Sequence, residues 1–437
     1  MKNRINIFFI IFLLFALEQC ATQKKINIFL VGDSTMANYG SIHPTITEIL
    51  ENADWGTGVN KMIQNESGGI EDIERIFNKP VSIFARHGGS YGPQLVYALG
   101  KKGIGYATSP VFLPDYNPIW FSNNLNFSAV NIYNKFDNVY YKDELFDPVF
   151  EKMKIDFPKM VEKNQGKVIS FFGAHPCKIR CEQFWDINYY KGVNTDSTEW
   201  VIPDLRPKSS MITARKNFKR LMEYLKGMKN IELVTYKDLM IRFSYQPEYV
   251  NKTELQKITK QIVTQKSIII SKYYSPAEIF YALVQAILEY KQNGKLPEKI
   301  KRVSPLGPLE MLAEVPEISQ VLFEKVFGLA ATADSVIKNS GHLPSSLVLE
   351  KRNIGLGSLL SLFSSVYLDI IYNSQKKLYT IEAFDPYPKE NVDAIIANVK
   401  KLKEWPIHRP DLDMDHLVKI TQLQMWTIKP ANERKTR

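Results

Sequence analysis

Two apolar runs that each end at a glycine constrain the fold of this chain most strongly. Residues 26–32 (INIFLVG) and 167–173 (KVISFFG) have the character of strands that are buried on both faces. Segments with a helical pattern lie between and after them, at 46–63, 150–161 and 212–226. This alternation of strands and helices predicts an α/β domain with a mostly parallel sheet or barrel.

The character of the sequence changes after about residue 245, where strand signals fade and amphipathic helices follow. Residues 252–302 carry ten Lys or Arg and four Glu, which is +6 of the net charge of +10. A basic balance favours an anionic partner such as a polysaccharide or a cell wall, and the usual DNA-binding motifs are missing, which argues against nucleic acid. The sequence therefore predicts an export signal at 1–23, an α/β domain at 24–245 and a basic, mainly α-helical domain at 246–437.

An internal duplication lies in the helical region. Five positions of one copy recur 47 residues later: Ala286, Gly294, Leu296, Pro297 and Ile300 correspond to Ala333, Gly341, Leu343, Pro344 and Leu347. Each copy has the pattern of a helix, a glycine that ends it, and a Leu-Pro pair that opens an extended segment. The apolar tail at 423–431 is expected to dock on the rest of the protein.

The N-terminus has the pattern of an export signal. Lys2 and Arg4 precede an apolar run at 7–17 that is too short to cross a bilayer as a mature helix. Cys20 stands where a lipoprotein is acylated, but Gln19 replaces the small residue that normally precedes such a cysteine. The sequence leaves two localisations open. The protein is either secreted or periplasmic, or it is anchored by a lipid at Cys20. No later segment is apolar enough to predict an integral membrane domain.

A possible nucleophile turn follows the first apolar run, at 32–37 (GDSTMA). A serine hydroxyl such as that of Ser34, placed beside backbone N–H groups at a helix start, has a ready oxyanion site. The alternative is that Ser34 or Asp33 caps a helix. Residues 28–39 resemble block I of the SGNH/GDSL hydrolases, in particular rhamnogalacturonan acetylesterases, which implies a serine-dependent carbohydrate acetylesterase. The Asp-x-x-His spacing of Asp413 and His416 is interpreted as a chance match.

Three further motifs resemble a different family. Residues 41–44 (SIHP), 85–92 (ARHGGSYG) and 172–176 (FGAHP) are similar, in order, to the second, third and fifth motifs of NodB-type polysaccharide deacetylases of carbohydrate esterase family 4. The resemblance covers about 41–240. It implies a distorted (β/α) barrel and a metal-dependent deacetylase, usually with zinc, in which metal-activated water attacks the acetyl carbonyl.

The resemblance implies roles for individual residues. His43 would be a metal ligand, Arg86 would orient the catalytic base, and His175 would be the general acid. Tyr91 would offer its backbone N–H to the oxyanion. The pair Trp185-Asp186 would take the place of the family's Asp/Trp motif in substrate binding.

The metal site departs from the pattern of the family. A second His ligand belongs four positions before His43, where this chain has Tyr39, and the family's early Asp-Asp pair is reduced to Asp33. Asp33 is then the candidate for both base and metal ligand. Either Asp33 and another group complete the site, or an esterase-like beginning has replaced the first elements of the barrel.

Other patterns leave two interpretations each. Residues 115–146 are rich in aromatic side chains and Asn, and either line a glycan groove, with Trp120 binding substrate, or form a minor core. Cys177 and Cys181 lie near His175. A disulfide or a pair of buried thiols is favoured there over a metal site. The Gly-Lys-Leu-Pro and Gly-His-Leu-Pro units at about 275–370 resemble pseudomurein-binding repeats, which implies binding to wall glycopeptide. The alternative is a packing domain with a solvated basic face.

Three functional hypotheses follow from the sequence. The first is an exported polysaccharide deacetylase that uses metal-activated water. The second is an acetylesterase that uses Ser34, and the third is a non-catalytic protein that binds a glycan or the cell wall.

Overall fold

The computed structural model describes residues 5–10, 74–75, 77–84, 99–100, 102–106, 118–127, 132–133, 135–165, 167–172, 176–183, 185–190, 193–194, 196–310, 319–390, 392–401 and 414–433. The strands in these segments are β1 (Ile5–Ile10), β2 (Ile83–Phe84), β3 (Gly105–Tyr106), β4 (Ile119–Phe121), β5 (Asn124–Asn126), β6 (Ile132–Tyr133), β7 (Val168–Phe172), β8 (Tyr189–Tyr190), β9 (Val193–Asn194), β10 (Ile231–Val234), β11 (Tyr249–Asn251), β12 (Lys299–Lys301), β13 (Ser319–Leu322), β14 (Ser346–Leu349), β15 (Arg352–Gly355), β16 (Leu378–Ile381) and β17 (Lys429–Pro430). The helices are α1 (Asp143–Lys163), α2 (Pro176–Arg180), α3 (Lys208–Gly227), α4 (Tyr236–Phe243), α5 (Lys252–Gln265), α6 (Pro276–Asn293), α7 (Phe323–Ser340), α8 (Leu356–Ile371), α9 (Val392–Lys401) and α10 (Met414–Gln424).

Two sheets form the centre of the α/β region. The first has the order β10-β1-β7-β6, and all of its ladders are parallel. The second has the order β17-β4-β5-β3-β2, with β2, β3 and β5 parallel and with β4 and β17 added through antiparallel ladders. The predicted α/β class with a largely parallel sheet is confirmed. The described ladders form two separate sheets, so a closed barrel stays a prediction.

One apolar core lies between the two sheets. It contains Ile83 of β2, Leu125 of β5, Val168 of β7 and Val234 of β10, together with side chains of α4. The next residue of β7, Ile169, belongs to a different core, formed with α1 and α3. Since successive strand residues point to opposite faces, β7 is buried on both sides, as its apolar sequence predicts.

The aromatic segment mostly forms core. Phe121, Phe127, Phe136 and Tyr140 are at most 1% exposed. The ring centroids of Phe136 and Tyr140 are 5.8 Å apart. Of the two interpretations of 115–146, packing is confirmed for these four side chains.

The end of the chain packs on the second sheet. Ile395 of α9 and Leu417 and Ile420 of α10 share an apolar core with Ile119 and Phe121 of β4. After α10, β17 pairs with β4 and becomes the edge strand of this sheet. The predicted docking of the tail is therefore confirmed. The tail belongs to the segment 246–437 in sequence, and it completes a sheet of the preceding region.

The helical region forms a further core between α5, α6, α7 and α8. Helix α6 begins at Pro276 and α7 at Phe323, 47 residues later, and the two helices have the same length of 18 residues. Each ends at a glycine in the left-handed conformation, with φ of 67° at Gly294 and 74° at Gly341. A short strand, β12 or β14, follows each glycine after the same interval. The duplication in the sequence therefore corresponds to two copies of one backbone arrangement.

The first described strand lies within the predicted export signal. Residues Ile5–Ile10 pair in parallel with both β7 and β10. The export signal and its cleavage stay predictions, and the apolar run at 26–32 lies outside the described residues. Within the described segments, the structure has no helix that is both long enough and apolar enough to span a membrane.

Candidate functional site

Two of the candidate motifs begin where parallel strands end. Strand β2 ends directly before the motif at 85–92, and β7 ends three residues before His175. Loops after the carboxyl ends of parallel strands are where α/β folds place binding and catalytic groups. Ile83 at the start of β2 and Val168 at the start of β7 lie in the same core. Both motifs therefore follow, along the chain, strands that pack on one core.

Most of the predicted site side chains lie outside the described residues. These are Asp33, Ser34, His43, Arg86, Tyr91 and His175, as well as Cys20 and Asp413. Trp185 and Asp186 are described only as backbone, in the 3-10 helix Trp185–Asn188, and His416 only as backbone in α10. The roles of all these residues stay predictions.

The predicted metal site also stays untested by the described residues. Among the described side chains, no group of three or more His, Cys, Asp and Glu could hold a metal ion. The proposed ligands His43 and Asp33 are not among them. Zinc therefore stays a prediction from the sequence. Cys181 is described, and it is a half-buried free thiol.

Trp120 is described, and its contacts are with the protein interior. It pairs with Lys429 across the β4–β17 ladder, and the Lys429 ammonium lies 6.0 Å from the centroid of its ring. The half-buried side chain packs against the core between the two sheets. These contacts account for Trp120 as a packing residue, and its binding of substrate stays a prediction.

Lys429 belongs to a buried charged cluster that the sequence patterns did not indicate. The residue is 3% exposed, and its ammonium donates to both carboxylate oxygens of Glu278, at 2.7 and 2.8 Å, and to Gln246 Oε1 at 2.6 Å. Arg302 and the Ser304 hydroxyl also donate to Glu278 Oε1, at 2.8 and 2.5 Å. We call these five residues the buried clasp.

The position of Glu278 follows from the start of α6. Ser275 is the N-cap, Pro276 is the first helical residue, and Glu278 is the third. The Ser275 backbone N–H donates to Glu278 Oε2 at 2.8 Å, and the Glu278 N–H donates to Ser275 Oγ at 3.3 Å. This is a capping box, and its Ser-Pro-x-Glu pattern is visible in the sequence. One carboxylate therefore both caps a helix and neutralises Lys429.

Burial and charge act in opposite directions within the clasp. Burial alone would raise the pKa of Glu278, but the charges of Lys429 and Arg302 outweigh it and hold this pKa below its ordinary value. Burial lowers the pKa of Lys429 to about 8, against the opposing effect of the Glu278 carboxylate. At neutral pH the clasp is thus one carboxylate that is shared by two cations.

The geometry of the clasp is that of a structural connection. An amine with a lowered pKa can in principle act as a base or a nucleophile. An ammonium has three donors, and those of Lys429 all have acceptors in Gln246 and Glu278. The clasp joins β17, the start of α6, and the segments next to β11 and β12. It therefore links the second sheet to the helical region.

A groove with a volume of about 490 Å³ lies on the helical region. The groove is lined by Glu254, Lys257 and Gln261 of α5, by the segment 267–272, and by Asp385, Lys389 and Glu390. The volume is within the range of ligand sites, and the lining offers carboxylates, ammonium groups and amides. These groups can hydrogen-bond a polar ligand such as a glycan or a glycopeptide.

Comparisons with known proteins provide no family for this chain. No protein-family model, no curated protein and no solved structure matches it.

Proposed function

We propose that the protein is an exported polysaccharide deacetylase, built on a distorted (β/α) barrel, that hydrolyses acetyl groups of carbohydrate. The observation that supports this most directly is the position of two motifs of the resemblance, which follow β2 and β7 on a shared core. In addition, β2, β3 and β5 follow one another in chain order in one sheet, and β6 and β7 do so in the other, although β1 lies between β7 and β10. The parts of the two sheets that keep chain order are those that resemble a (β/α) barrel.

The proposed chemistry uses the loops after the strands. Asp33 would take a proton from the attacking water, with Arg86 holding the carboxylate in place. The backbone N–H of Tyr91 would donate to the oxyanion, and His175 would protonate the leaving group.

A bound zinc ion would supply Lewis acidity and a more acidic water. Asp33 and His43 would be two of its ligands, whereas catalytic zinc sites use three protein ligands. The sequence does not identify the third ligand, so the proposal assigns no step to the metal.

Metal content and acetate release test this proposal together. We expect wild-type protein to contain zinc and to release acetate from an acetylated polysaccharide, and we expect a chelator to abolish the activity. His175→Ala should lose acetate release and keep zinc, whereas His43→Ala should lose both. His342→Ala, in the helical region, is the matched control and should behave like wild type.

Two outcomes would overturn the proposal in favour of the alternatives. Chelator-resistant activity that is lost in Ser34→Ala would identify a serine acetylesterase. Binding of polysaccharide without any acetate release, in protein that is folded and zinc-loaded, would identify a glycan-binding protein.

We further propose that the helical region binds an anionic wall polymer. The excess of basic residues at 252–302 supports this role, and the 490 Å³ groove, whose lining carries three Lys and three carboxylates, offers a place for the uncharged groups of the polymer. Affinity electrophoresis in gels that contain polygalacturonate should retard the protein, and neutral dextran should not. A Lys257→Ala/Gln261→Ala double variant should be retarded less. Equal retardation of this variant and wild type would contradict the assignment to the groove.

A further inference from the structure

Helix α2 directly follows the motif that contains His175. Strand β7 ends at Phe172 and α2 begins at Pro176, so the three residues 173–175 connect the two elements. Strand β7 is held by parallel ladders to β1 and to β6. A link of three residues spans at most about 10 Å, so its course depends on where its two ends are fixed. The position of α2 therefore determines in part the position of His175.

A mostly buried ion pair ties α2 to an apolar core. The Lys178 ammonium lies 2.6 Å from the Asp137 carboxylate, and these side chains are 22 and 14% exposed. Salt screens a pair at such depth much less than a pair on the surface. Phe136, which precedes Asp137, and Ile179, which follows Lys178, both lie in the core formed with α1 and α3. Charge and packing therefore act together to hold α2 on this core.

Arg206 makes a second set of contacts with α2. Its backbone N–H donates to the Arg180 carbonyl at 2.8 Å, and its Nε donates to the Lys178 carbonyl at 3.0 Å. The guanidinium also lies 3.6 Å from the centroid of the Tyr141 ring, which is a cation–π distance. Lysine cannot replace a guanidinium that both stacks on a ring and donates to a carbonyl. We call Asp137, Tyr141, Lys178 and Arg206 the α2 anchor.

We propose that the α2 anchor positions His175 for proton donation, a role that rests on the proposed deacetylase function. In that reaction water adds to the acetyl carbonyl carbon, the bond from this carbon to the sugar oxygen or nitrogen breaks, and acetate leaves. Asp33 takes a proton from the water, and His175 gives one to the departing oxygen or nitrogen. Misplacement of a reacting group by about 1 Å costs on the order of 10²-fold in rate. The residues of the α2 anchor act through His175 and are therefore positioning residues.

The leaving group of the substrate distinguishes the positioning of an acid from general damage to the protein. A sugar oxygen or nitrogen needs a proton as it departs, whereas 4-nitrophenolate is a weak base and departs without one. Loss of a well-placed acid should therefore slow hydrolysis of an acetylated glycan and leave hydrolysis of 4-nitrophenyl acetate nearly unchanged. The glycan probe is a fully acetylated chitin hexamer or acetylated xylan, whichever the wild type hydrolyses. His175→Ala provides the reference for complete loss of the acid.

Lys178→Met removes the ion pair of the α2 anchor and keeps a long side chain. We expect kcat for the glycan to fall about tenfold with KM unchanged, because proton donation acts in the transition state. Activity on 4-nitrophenyl acetate should change by less than about twofold. Arg206→Lys should give the same pattern, whereas Lys178→Arg, which keeps the charge opposite Asp137, should retain most of the activity. Adding Lys178→Met to His175→Ala should cause no further loss, since both act on one proton transfer.

Arg220→Met is the matched control. Arg220 pairs with Asp147 at 2.8 Å, and this pair joins α3 to α1, the two helices that pack on the same core. The pair includes no residue of α2. Arg220→Met should therefore keep the wild-type kcat and KM for both substrates. Urea midpoints of all variants establish that they are folded.

The thiol of Cys181 tests the α2 anchor without any activity. Cys181 directly follows α2 and is a half-buried free thiol. Its labelling by iodoacetamide, located by mass spectrometry of tryptic peptides, reports how often α2 leaves the core. Lys178→Met should be labelled several-fold faster than wild type, and Arg220→Met should be labelled at the wild-type rate.

The results separate failure of the positioning role from failure of the proposed function. If wild type hydrolyses the glycan and Lys178→Met loses activity on both substrates equally, or on neither, the positioning role is refuted and the deacetylase stands. If Cys181 is labelled equally fast in Lys178→Met and in wild type, the anchor itself is refuted. If wild type releases no acetate from the glycan, the proposed function is refuted and the positioning role with it, even where faster labelling shows that α2 is anchored.

Discussion

Replacing Glu278 by Gln tests the energetic importance of the buried clasp. The substitution keeps the size of the side chain, and Gln also serves at the third helical position of a capping box. It removes the negative charge that Lys429 and Arg302 share. Any large effect on stability therefore reports on charge in the clasp and not on the helix cap.

The contacts of Lys429 determine the expected magnitude. Its ammonium is 3% exposed and directs two hydrogen bonds at the Glu278 carboxylate. Removing one partner of a buried ion pair typically costs about 3–5 kcal/mol. Loss of the lysine proton at pH 7 costs about 4.6 kcal/mol from an ordinary pKa of about 10.4, and this sets an upper limit on the penalty. We therefore expect Glu278→Gln to lose about 3–4.6 kcal/mol at pH 7. At pH 9 the loss should be smaller, because neutralising the lysine is then easier.

Urea unfolding at pH 7 and pH 9, followed by the fluorescence of the six tryptophans, measures the effect. Adding Lys429→Met to Glu278→Gln should restore part of the stability, since it removes the uncompensated cation. Glu298→Gln is the control, because Glu298 is 83% exposed and pairs with Lys252 at the surface. It should change stability by less than about 0.5 kcal/mol. A loss below about 1 kcal/mol for Glu278→Gln, or a larger loss at pH 9 than at pH 7, would refute the reasoning.

Three further predictions concern stability and use the same urea assay. Gly341→Ala should lower the free energy of unfolding by about 1 kcal/mol, because φ is 74° at this position. Gly328→Ala, within α7, should raise it by about 0.5–1 kcal/mol, because alanine favours the helix and its Cβ has space. Equal effects of the two substitutions would contradict the backbone argument. Gly357→Ala should cost about 3 kcal/mol or more, since its Cβ would lie 1.9 Å from the Asp385 carbonyl oxygen, and a neutral result would contradict this packing. The lowered pKa of Glu278 stabilises the fold above the unfolded value of about 4.3, and this contribution is lost as pH falls through the lower folded value. Between pH 5 and pH 3 the stability of Glu278→Gln should therefore fall less steeply than that of wild type.

Local patterns predicted the individual strands and helices well. The apolar run at 167–172 is β7, and the predicted helices at 150–161 and 212–226 lie within α1 and α3. Such features depend on neighbours along the chain, since a strand buried on both faces needs an apolar run and a helix needs an apolar stripe. The glycines at 294 and 341 marked helix ends for a similarly local reason, because a left-handed residue there is easiest for glycine.

Local sequence patterns could not predict contacts between residues that are far apart in the chain. Lys429 and Glu278 are 151 residues apart, and a lysine in a tail is ordinarily expected in solvent. Nothing local indicated that β17 would join β4, or that Trp120 would pack beside the ammonium of Lys429. The roles of the candidate catalytic residues rest on the sequence for a different reason. The structure describes the strands that precede two of the motifs, but not the side chains of these residues.

The core under the second sheet and the core of the helical region meet at consecutive residues of the tail, and this affects which substrate is expected. Met425 is buried in the core under the second sheet, and Trp426 is buried in the core of the helical region. The Trp426 indole also donates to the Pro386 carbonyl at 2.8 Å. A tryptophan buries about 150–250 Å², so withdrawing it would cost about 4–6 kcal/mol at 25 cal/mol per Å². Separation of the two regions during turnover is therefore unfavourable. A glycan held in the groove of the helical region must itself reach the proposed active loops, so a long polymer should have a much lower KM than a short oligosaccharide with the same acetyl groups.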